Sequence, residues 1–212
     1  LTLAPAEGAE LTLQEIYERV SPAVVGITAL REGAEYSWGT GVVFTPDGYI
    51  ITNTHIITGC DAARVVFMNG EEYEALLIGE DSVSDIAVLK IEGEDFPYAE
   101  FGDSDALSVG DSVAAIGNPL GEEYAGTMTN GIVSAINRNV SNNGHPMTLL
   151  QTNAALNEGN SGGPLVNACG QVIGITNMKM VNYLSDVIYE GIGFAIPTAT
   201  LKAVADQLMA TG

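Results

Sequence analysis

The stretch Gln151 to Asn167, QTNAALNEGNSGGPLVN, places one serine among three glycines, in Gly159-Asn160-Ser161-Gly162-Gly163-Pro164. Apolar, strand-like residues lie on both sides of this centre. Glycine adopts backbone conformations that are closed to other residues, and it lets another main chain approach closely. Ser161 is therefore a candidate nucleophile, which needs a base to take its proton and a third group to orient that base.

The chain has two histidines, so the candidates for the base are few. His55 follows an apolar run, at a place where a strand end would hold its side chain on a rigid support. His145 lies in residues 139–146, NVSNNGHP, whose Asn, Gly and Pro content predicts a mobile loop. His55 is the expected base.

An acidic residue that could orient His55 precedes the apolar run 86–89. Asp85 holds this position, and a carboxylate buried there would need a partner. Asp81 and Asp103 have the polar surroundings of solvated loop acids. We expect Asp85 to orient His55.

Chain order separates two serine-hydrolase architectures. Residues 159–163 also fit the G-x-S-x-G nucleophile elbow of α/β-hydrolases, in which the histidine follows the serine. No histidine follows Ser161. The order His55, Asp85, Ser161 is that of the chymotrypsin-type double β-barrel, so the expected chemistry is acyl transfer to Ser161.

The composition fits many short strands joined by tight turns. Of 212 residues, 46% are hydrophobic, 16% are charged and 25 are glycine. The formal net charge of -20 argues against nucleic acid or an anionic membrane as a partner. The two cysteines, Cys60 and Cys169, are expected to be free thiols without a metal-ligand partner, and we expect no metal and no cofactor.

The predicted elements form one all-β domain with a short helix at each end. Thr12 and Glu15 have the spacing of a capping box for a helix over 13–20. Two sets of strands follow, over about 20–95 and about 108–197, and a helix capped by Thr198 spans about 199–210.

The beginning of the chain suggests a processed or trimmed piece. It starts at Leu1 rather than Met, and no apolar run reaches the ~18 residues that span a bilayer. We therefore expect that any export signal or membrane anchor belongs to a missing N-terminal part.

Five motifs in register resemble the HtrA (Deg) family of trypsin-like serine proteases, from about residue 20 to the end of the chain. They are TNTH at 52–55, SDIAVLK at 84–90, AIGNPLG at 115–121, GNSGGPL at 159–165 and GIGFAIP at 191–197. The resemblance implies two perpendicular six-stranded barrels with the catalytic site in the cleft between them. It also implies an extracytoplasmic endopeptidase that acts on unfolded polypeptides in bacterial protein quality control and stress response, usually as a homotrimer with a PDZ domain after the protease domain.

The resemblance also implies roles around Ser161. The oxyanion hole falls on Gly159, Asn160 and Ser161, with the N–H groups of Gly159 and Ser161 as the donors. The substrate-binding pocket has four residues, namely Ala155 at its base and Leu156, Gly193 and Ala195 on its walls. No acid is among them, so cleavage is expected after small or medium aliphatic residues.

Asn160 stands where digestive trypsin-like enzymes carry an aspartate that pairs with a newly cut N-terminus. A neutral amide cannot form that ion pair, so activation by N-terminal cleavage is not expected. The resemblance implies instead that residues 137–146 and 177–190 act as switching loops. Two residues depart from the commonest family pattern: Glu158 stands where proline is frequent, and Asn153 where aspartate is frequent.

Two other functions use the same residues. A peptide-binding module with chaperone activity and a latent protease site would hold extended peptides in the same cleft by strand addition. An esterase would apply the same acyl chemistry to esters.

Overall fold

The structure, a computed structural model, describes residues 1–118, 125–142, 144–177 and 190–211. The helices are α1 (Leu13–Val20), α2 (Thr54–Ile57) and α3 (Thr198–Thr211), with short 3-10 turns at Ser21–Ala23 and Ser104–Ala106. The strands are β1 (Leu3–Ala4), β2 (Val24–Arg31), β3 (Ala34–Val43), β4 (Tyr49–Thr52), β5 (Ala62–Phe67), β6 (Glu72–Asp81), β7 (Ile86–Ile91), β8 (Phe101–Gly102), β9 (Ser112–Gly117), β10 (Thr127–Asn142), β11 (His145–Thr152), β12 (Pro164–Asn167), β13 (Val172–Thr176) and β14 (Gly193–Pro197).

The strands close into two antiparallel barrels of six strands each. The first barrel has the order β2-β3-β4-β7-β6-β5. In the second, β9 pairs with β10, β10 with β11, β11 with β14, β14 with β13, β13 with β12, and β12 with β9. The expectation of an all-β fold with two six-stranded barrels is confirmed. Strands β8 and β1 add a parallel extension at β13.

The C-terminal helix joins the two barrels. Helix α3 packs against β6 and β7 of the first barrel and against β13 and β14 of the second. Leu201 and Ala205, both fully buried, lie in one continuous apolar cluster with residues from both barrels. A smaller cluster fills the second barrel and consists of Val113, Ala115, Val133, Leu150, Leu165, Ile173 and Ala195.

The two terminal helices begin in different ways. At α1 the capping box is confirmed, because the Thr12 hydroxyl accepts from the Glu15 N–H and the Glu15 carboxylate accepts from the Thr12 N–H. At α3 the expected cap is wrong. The Thr198 hydroxyl donates to the Gly102 carbonyl, and the distant Ser104 hydroxyl accepts from Ala199 N–H at 3.1 Å.

The loop predicted for residues 139–146 is a strand pair instead. Strands β10 and β11 continue through it, with Val140 opposite Met147 and Ser141 opposite Pro146. An Asn-Gly pair favours a two-residue hairpin turn, and an exposed ribbon needs no apolar alternation. Asn143 lies outside the described residues. Within the described residues, no helix is long and apolar enough to cross a membrane.

Candidate active site

His55 is held by a carboxylate at the rim of the first barrel. It lies in α2, directly beyond the end of β4, and its Nδ1 is 2.7 Å from Oδ2 of Asp85. The main-chain N–H of His55 also donates to Asp85 Oδ1 at 2.9 Å. Asp85 is buried, whereas the His55 side chain is 24% exposed. This pairing fixes the imidazole ring and directs its other nitrogen, Nε2, away from the carboxylate.

The backbone of Asp85 is locked to the same helix. Its φ of 57° lies in the left-handed region, which few residues other than glycine adopt. Its carbonyl accepts from Asn53 Nδ2 at 3.0 Å and from the Thr54 N–H at 3.2 Å. Helix α2, which carries His55, is therefore joined to Asp85, directly before β7, by main-chain as well as side-chain hydrogen bonds.

A further partner of Asp85 comes from the second barrel. Asn177, fully buried after the end of β13, donates from Nδ2 to Asp85 Oδ2 at 2.8 Å, and its N–H donates to the Phe194 carbonyl at 2.9 Å. The sequence reasoning missed this residue. Its one local signal is a polar side chain directly after an apolar strand, the same signal that identified His55.

Ser161 is held against β3, close to the helix that carries His55. The Ser161 carbonyl accepts from the Thr40 N–H at 2.9 Å. A Cβ built on Gly39 would lie 3.2 Å from that carbonyl oxygen and 2.4 Å from the side chain of Ile56, the neighbour of His55. Only glycine at this position lets the Ser161 segment and α2 approach each other so closely.

The residues before Ser161 form a turn over residues 157–160. Asn160 N–H donates to the Asn157 carbonyl at 3.0 Å, Gly159 has a φ of 93°, and Glu158 has a negative φ. These values define a type II turn with glycine at its third position. The N–H of buried Gly159 makes no hydrogen bond to any described residue. It is a candidate donor to an oxyanion, whereas the Asn160 N–H is already engaged within the turn.

The Asn160 side chain is buried at 3% exposure. Its Oδ1 has no hydrogen-bond partner in the part of the chain that the structure describes, and it faces Gly117, where an added Cβ would lie 2.6 Å away. The side chain is thus enclosed beside the end of β9.

The four predicted pocket residues differ in their exposure to solvent. Ala155 is exposed, and its carbonyl accepts from the Thr129 hydroxyl at 2.8 Å. Leu156 is half-buried, with Cδ1 2.7 Å from the place of a Cβ on Gly193, so a larger residue there would displace it. Ala195 is fully buried in the cluster that fills the second barrel.

Two further expectations concern ligands and loops. Among the residues that the structure describes, no group of three or more His, Cys, Asp or Glu side chains could hold a metal ion. Of the switching loop expected over 177–190, residues 178–189 lie outside the described part.

Comparison with known proteins adds independent information. Residues 39–175 match the family described as trypsin-like peptidase domain. The chain is 40% identical over 233 residues to the serine protease Do-like HtrB of Bacillus subtilis, covering 100% of this chain and 50% of that protein. It is 43% identical over 182 residues to a probable periplasmic serine endoprotease, DegP-like, of Pseudomonas savastanoi, covering 86% of this chain and 37% of that protein.

A solved structure agrees with the sequence relatives. The HtrA-type protease AlgW with a tripeptide superposes with a TM-score of 0.84 at 36% identity, over 95% of this chain and 65% of that chain. This chain spans half or less of the length of the two sequence relatives.

Proposed function

Because this chain belongs to the trypsin-like peptidases and, among them, to the HtrA-type serine proteases, we propose that it is an endopeptidase that cleaves unfolded or misfolded polypeptides. The observation that carries the proposal is the buried Asp85 carboxylate, which holds Nδ1 and the main-chain N–H of His55. Ser161 lies across Gly39 from the helix that carries His55.

The proposed reaction proceeds through an acyl-enzyme. The Ser161 hydroxyl oxygen attacks the scissile carbonyl carbon while His55 takes its proton, and His55 then delivers that proton to the amine as the C–N bond breaks. Water attacks the resulting ester with His55 again as the base, which releases the carboxylate product and restores Ser161. The Gly159 and Ser161 N–H groups would stabilise the oxyanion, and loss of one such donor typically costs about 3 to 4 kcal/mol of barrier.

Cleavage after small or medium aliphatic residues is proposed from the apolar side chains of the pocket. A preference for Lys or Arg would need a buried carboxylate, and Ala155, Leu156, Gly193 and Ala195 offer none. An apolar pocket distinguishes aliphatic side chains by only about 1 to 3 kcal/mol per methylene, so specificity should be broad. We expect a peptide library to be cut mainly after Val, Ala, Ile or Leu, and a profile dominated by Lys or Arg would contradict this.

Location and assembly are part of the same proposal. The relatives named periplasmic support an extracytoplasmic protein in a bacterium. A homotrimer is proposed from the family resemblance alone, and sedimentation equilibrium of the chain would test it. A monomer mass across the concentration range would contradict it.

The test of the activity uses a fluorophosphonate probe and unfolded casein, with Ser161→Ala as the matched variant. We expect the wild type to be labelled and to degrade casein, and the variant to do neither. Suppression of casein aggregation by both proteins, without labelling or cleavage, would favour the peptide-binding alternative. Turnover of small esters without casein cleavage would favour an esterase.

A further inference from the structure

Thr40, in β3 of the first barrel, reaches across to the 157–160 turn. It is fully buried, and its hydroxyl donates to the Gly159 carbonyl at 2.7 Å while accepting from the Asn118 N–H at 3.0 Å. The Thr40 hydroxyl has a single hydrogen, which it donates to the Gly159 carbonyl, while its oxygen accepts from Asn118. No other hydrogen bond to the Gly159 carbonyl is present among the described residues.

The hydrogen bonds around the turn fix its peptide planes one by one. The Gly159–Asn160 plane is held at both edges, at its carbonyl by Thr40 and at its N–H by the Asn157 carbonyl. The Asn160–Ser161 plane is held at its carbonyl by the Thr176 hydroxyl at 2.6 Å. A peptide unit is rigid, so a held carbonyl also sets the direction of the N–H opposite to it.

One plane of the turn is not held in this way. The Glu158–Gly159 peptide, which carries the Gly159 N–H, makes no hydrogen bond in the described part of the chain. Its orientation depends on the torsions of Gly159, a glycine that can adopt several backbone conformations. The Thr40 hydroxyl restrains those torsions from the carbonyl side.

We propose that Thr40 is a positioning residue that keeps the Gly159 N–H aimed at the oxyanion, a role that rests on the proposed function. The Thr40 hydroxyl acts through the Gly159 carbonyl, to which it donates. Without its hydroxyl, the buried Gly159 carbonyl loses its partner, and rotation of the turn toward another donor becomes favourable. The N–H then leaves the position that the transition state needs.

The experiment compares two variants that differ by one oxygen atom. Thr40→Ser keeps the hydroxyl and Thr40→Ala removes it, and both lack the methyl group that packs 3.2 Å from the place of a Cβ on Gly163. Thr198 is the matched control, because its buried hydroxyl also donates to a glycine carbonyl, Gly102, at 2.7 Å and accepts a main-chain N–H, that of Ser104, at 3.1 Å. Thr198→Ser and Thr198→Ala therefore lose the same groups away from the turn.

The main readout is the kcat of peptide cleavage. We expect Thr40→Ala to have a kcat about 10- to 100-fold below that of Thr40→Ser, because a misaimed oxyanion donor loses part of the 100- to 1,000-fold that such a donor supplies. KM should stay within about twofold, since the ground state makes little use of the oxyanion donor. The affinity for a peptide aldehyde, which forms a tetrahedral adduct, should fall in parallel with kcat.

The controls separate positioning from a loss of stability. The Thr198 pair should agree in kcat within about twofold even if both variants melt at a lower temperature. The proposal would be overturned by equal kcat values for Thr40→Ser and Thr40→Ala. It would also be overturned if the kcat of Thr198→Ala fell below that of Thr198→Ser by the same factor as in the Thr40 pair. If Thr40→Ala does not fold, Thr40→Cys takes its place, because the cysteine thiol is a weaker donor than the serine hydroxyl on a side chain of nearly the same shape. A kcat of Thr40→Cys equal to that of Thr40→Ser would count against the role of Thr40.

The proposed function is checked in the same samples. Labelling of the wild type and the Thr198 variants by the fluorophosphonate probe, without labelling of Ser161→Ala, establishes the nucleophile. Failure of the wild type to label overturns both proposals. If the wild type is labelled and the two Thr40 variants have equal kcat values, only the role of Thr40 is overturned.

Discussion

At the scale of single residues, the candidate site is defined by the hydrogen bonds that converge on Asp85. Oδ1 accepts from the His55 N–H, and Oδ2 accepts from Asn177 while facing His55 Nδ1. A buried carboxylate that accepts several hydrogen bonds is held in one orientation. Asn177 thus links the His–Asp pair of the first barrel to the end of a strand of the second.

The contribution of Asn177 can be measured by changing its donor. Asn177→Ala should lower kcat about tenfold with little change in KM, since one charge-assisted hydrogen bond to Asp85 is worth about 1.5 to 3 kcal/mol and part of it is replaced by water. Asn177→Ser, a smaller donor, should lose less. A kcat of Asn177→Ala equal to that of the wild type would show that the bond has no part in catalysis.

Asn177→Asp tests the same contact through its charge. The new carboxylate would stand beside Asp85 Oδ2 in place of a hydrogen-bond donor, and like charges at that separation repel each other. Repulsion would displace Asp85 from its position beside His55 Nδ1. The kcat of Asn177→Asp should therefore fall below that of Asn177→Ala, and equal kcat values for the two variants would rule out this coupling.

At the scale of secondary-structure elements, α1 shows how a local motif determines a helix start. The Thr12 main-chain N–H and then its hydroxyl donate to Glu15 and lower the pKa of the Glu15 carboxyl. A carboxyl whose folded-state pKa is lowered stabilises the fold above its ordinary pKa. That stabilisation is lost as the pH falls through the folded-state pKa.

The contribution of the capping box to the free energy of unfolding should therefore decrease as the pH falls. At pH 7, Glu15→Gln should unfold at a lower urea concentration than the wild type, and the difference should shrink as the pH falls below the ordinary pKa of glutamate. Thr12→Ala should cost about 1 kcal/mol, and Thr2→Ala, an exposed control, close to nothing. A Glu15→Gln difference that grows on acidification would contradict the assignment.

At the scale of the whole molecule, the two barrels share one core. The apolar cluster that contains Ile50 and Leu89 of the first barrel also contains Ile175 and Phe194 of the second, and Leu201 of α3 lies among them. Barrels joined in this way are expected to unfold together.

Leu201→Ala tests this shared core. We expect it to reduce the free energy of unfolding by about 2 to 5 kcal/mol. The urea midpoint should fall equally by the fluorescence of Trp38, the single tryptophan, and by far-ultraviolet circular dichroism of both barrels. Different midpoints for the two probes would show that the barrels unfold separately.

The sequence by itself determined the fold class and the main candidates of the site. The prediction used two kinds of feature. Short stretches gave the glycine-rich turn around Ser161 and the polar residues where apolar runs end or begin, and the order along the chain gave His55, Asp85, Ser161. The turn around Ser161 could be predicted from a short stretch, because a turn depends on the conformations open to a few neighbouring residues. The ribbon over residues 139–146 was misjudged because its Asn-rich composition suits both a loop and an exposed hairpin.

Only the tertiary structure decided which distant groups complete the site. Thr40 and Gly159 are 119 positions apart, Asp85 and Asn177 are 92 apart, and the Ser104 hydroxyl caps a helix 95 positions later. A hydroxyl or amide in a strand carries no mark of the partner that it will meet. These contacts exist because the two barrels close and pack on each other, which brings polar groups from both halves together where water is excluded and each donor needs an acceptor.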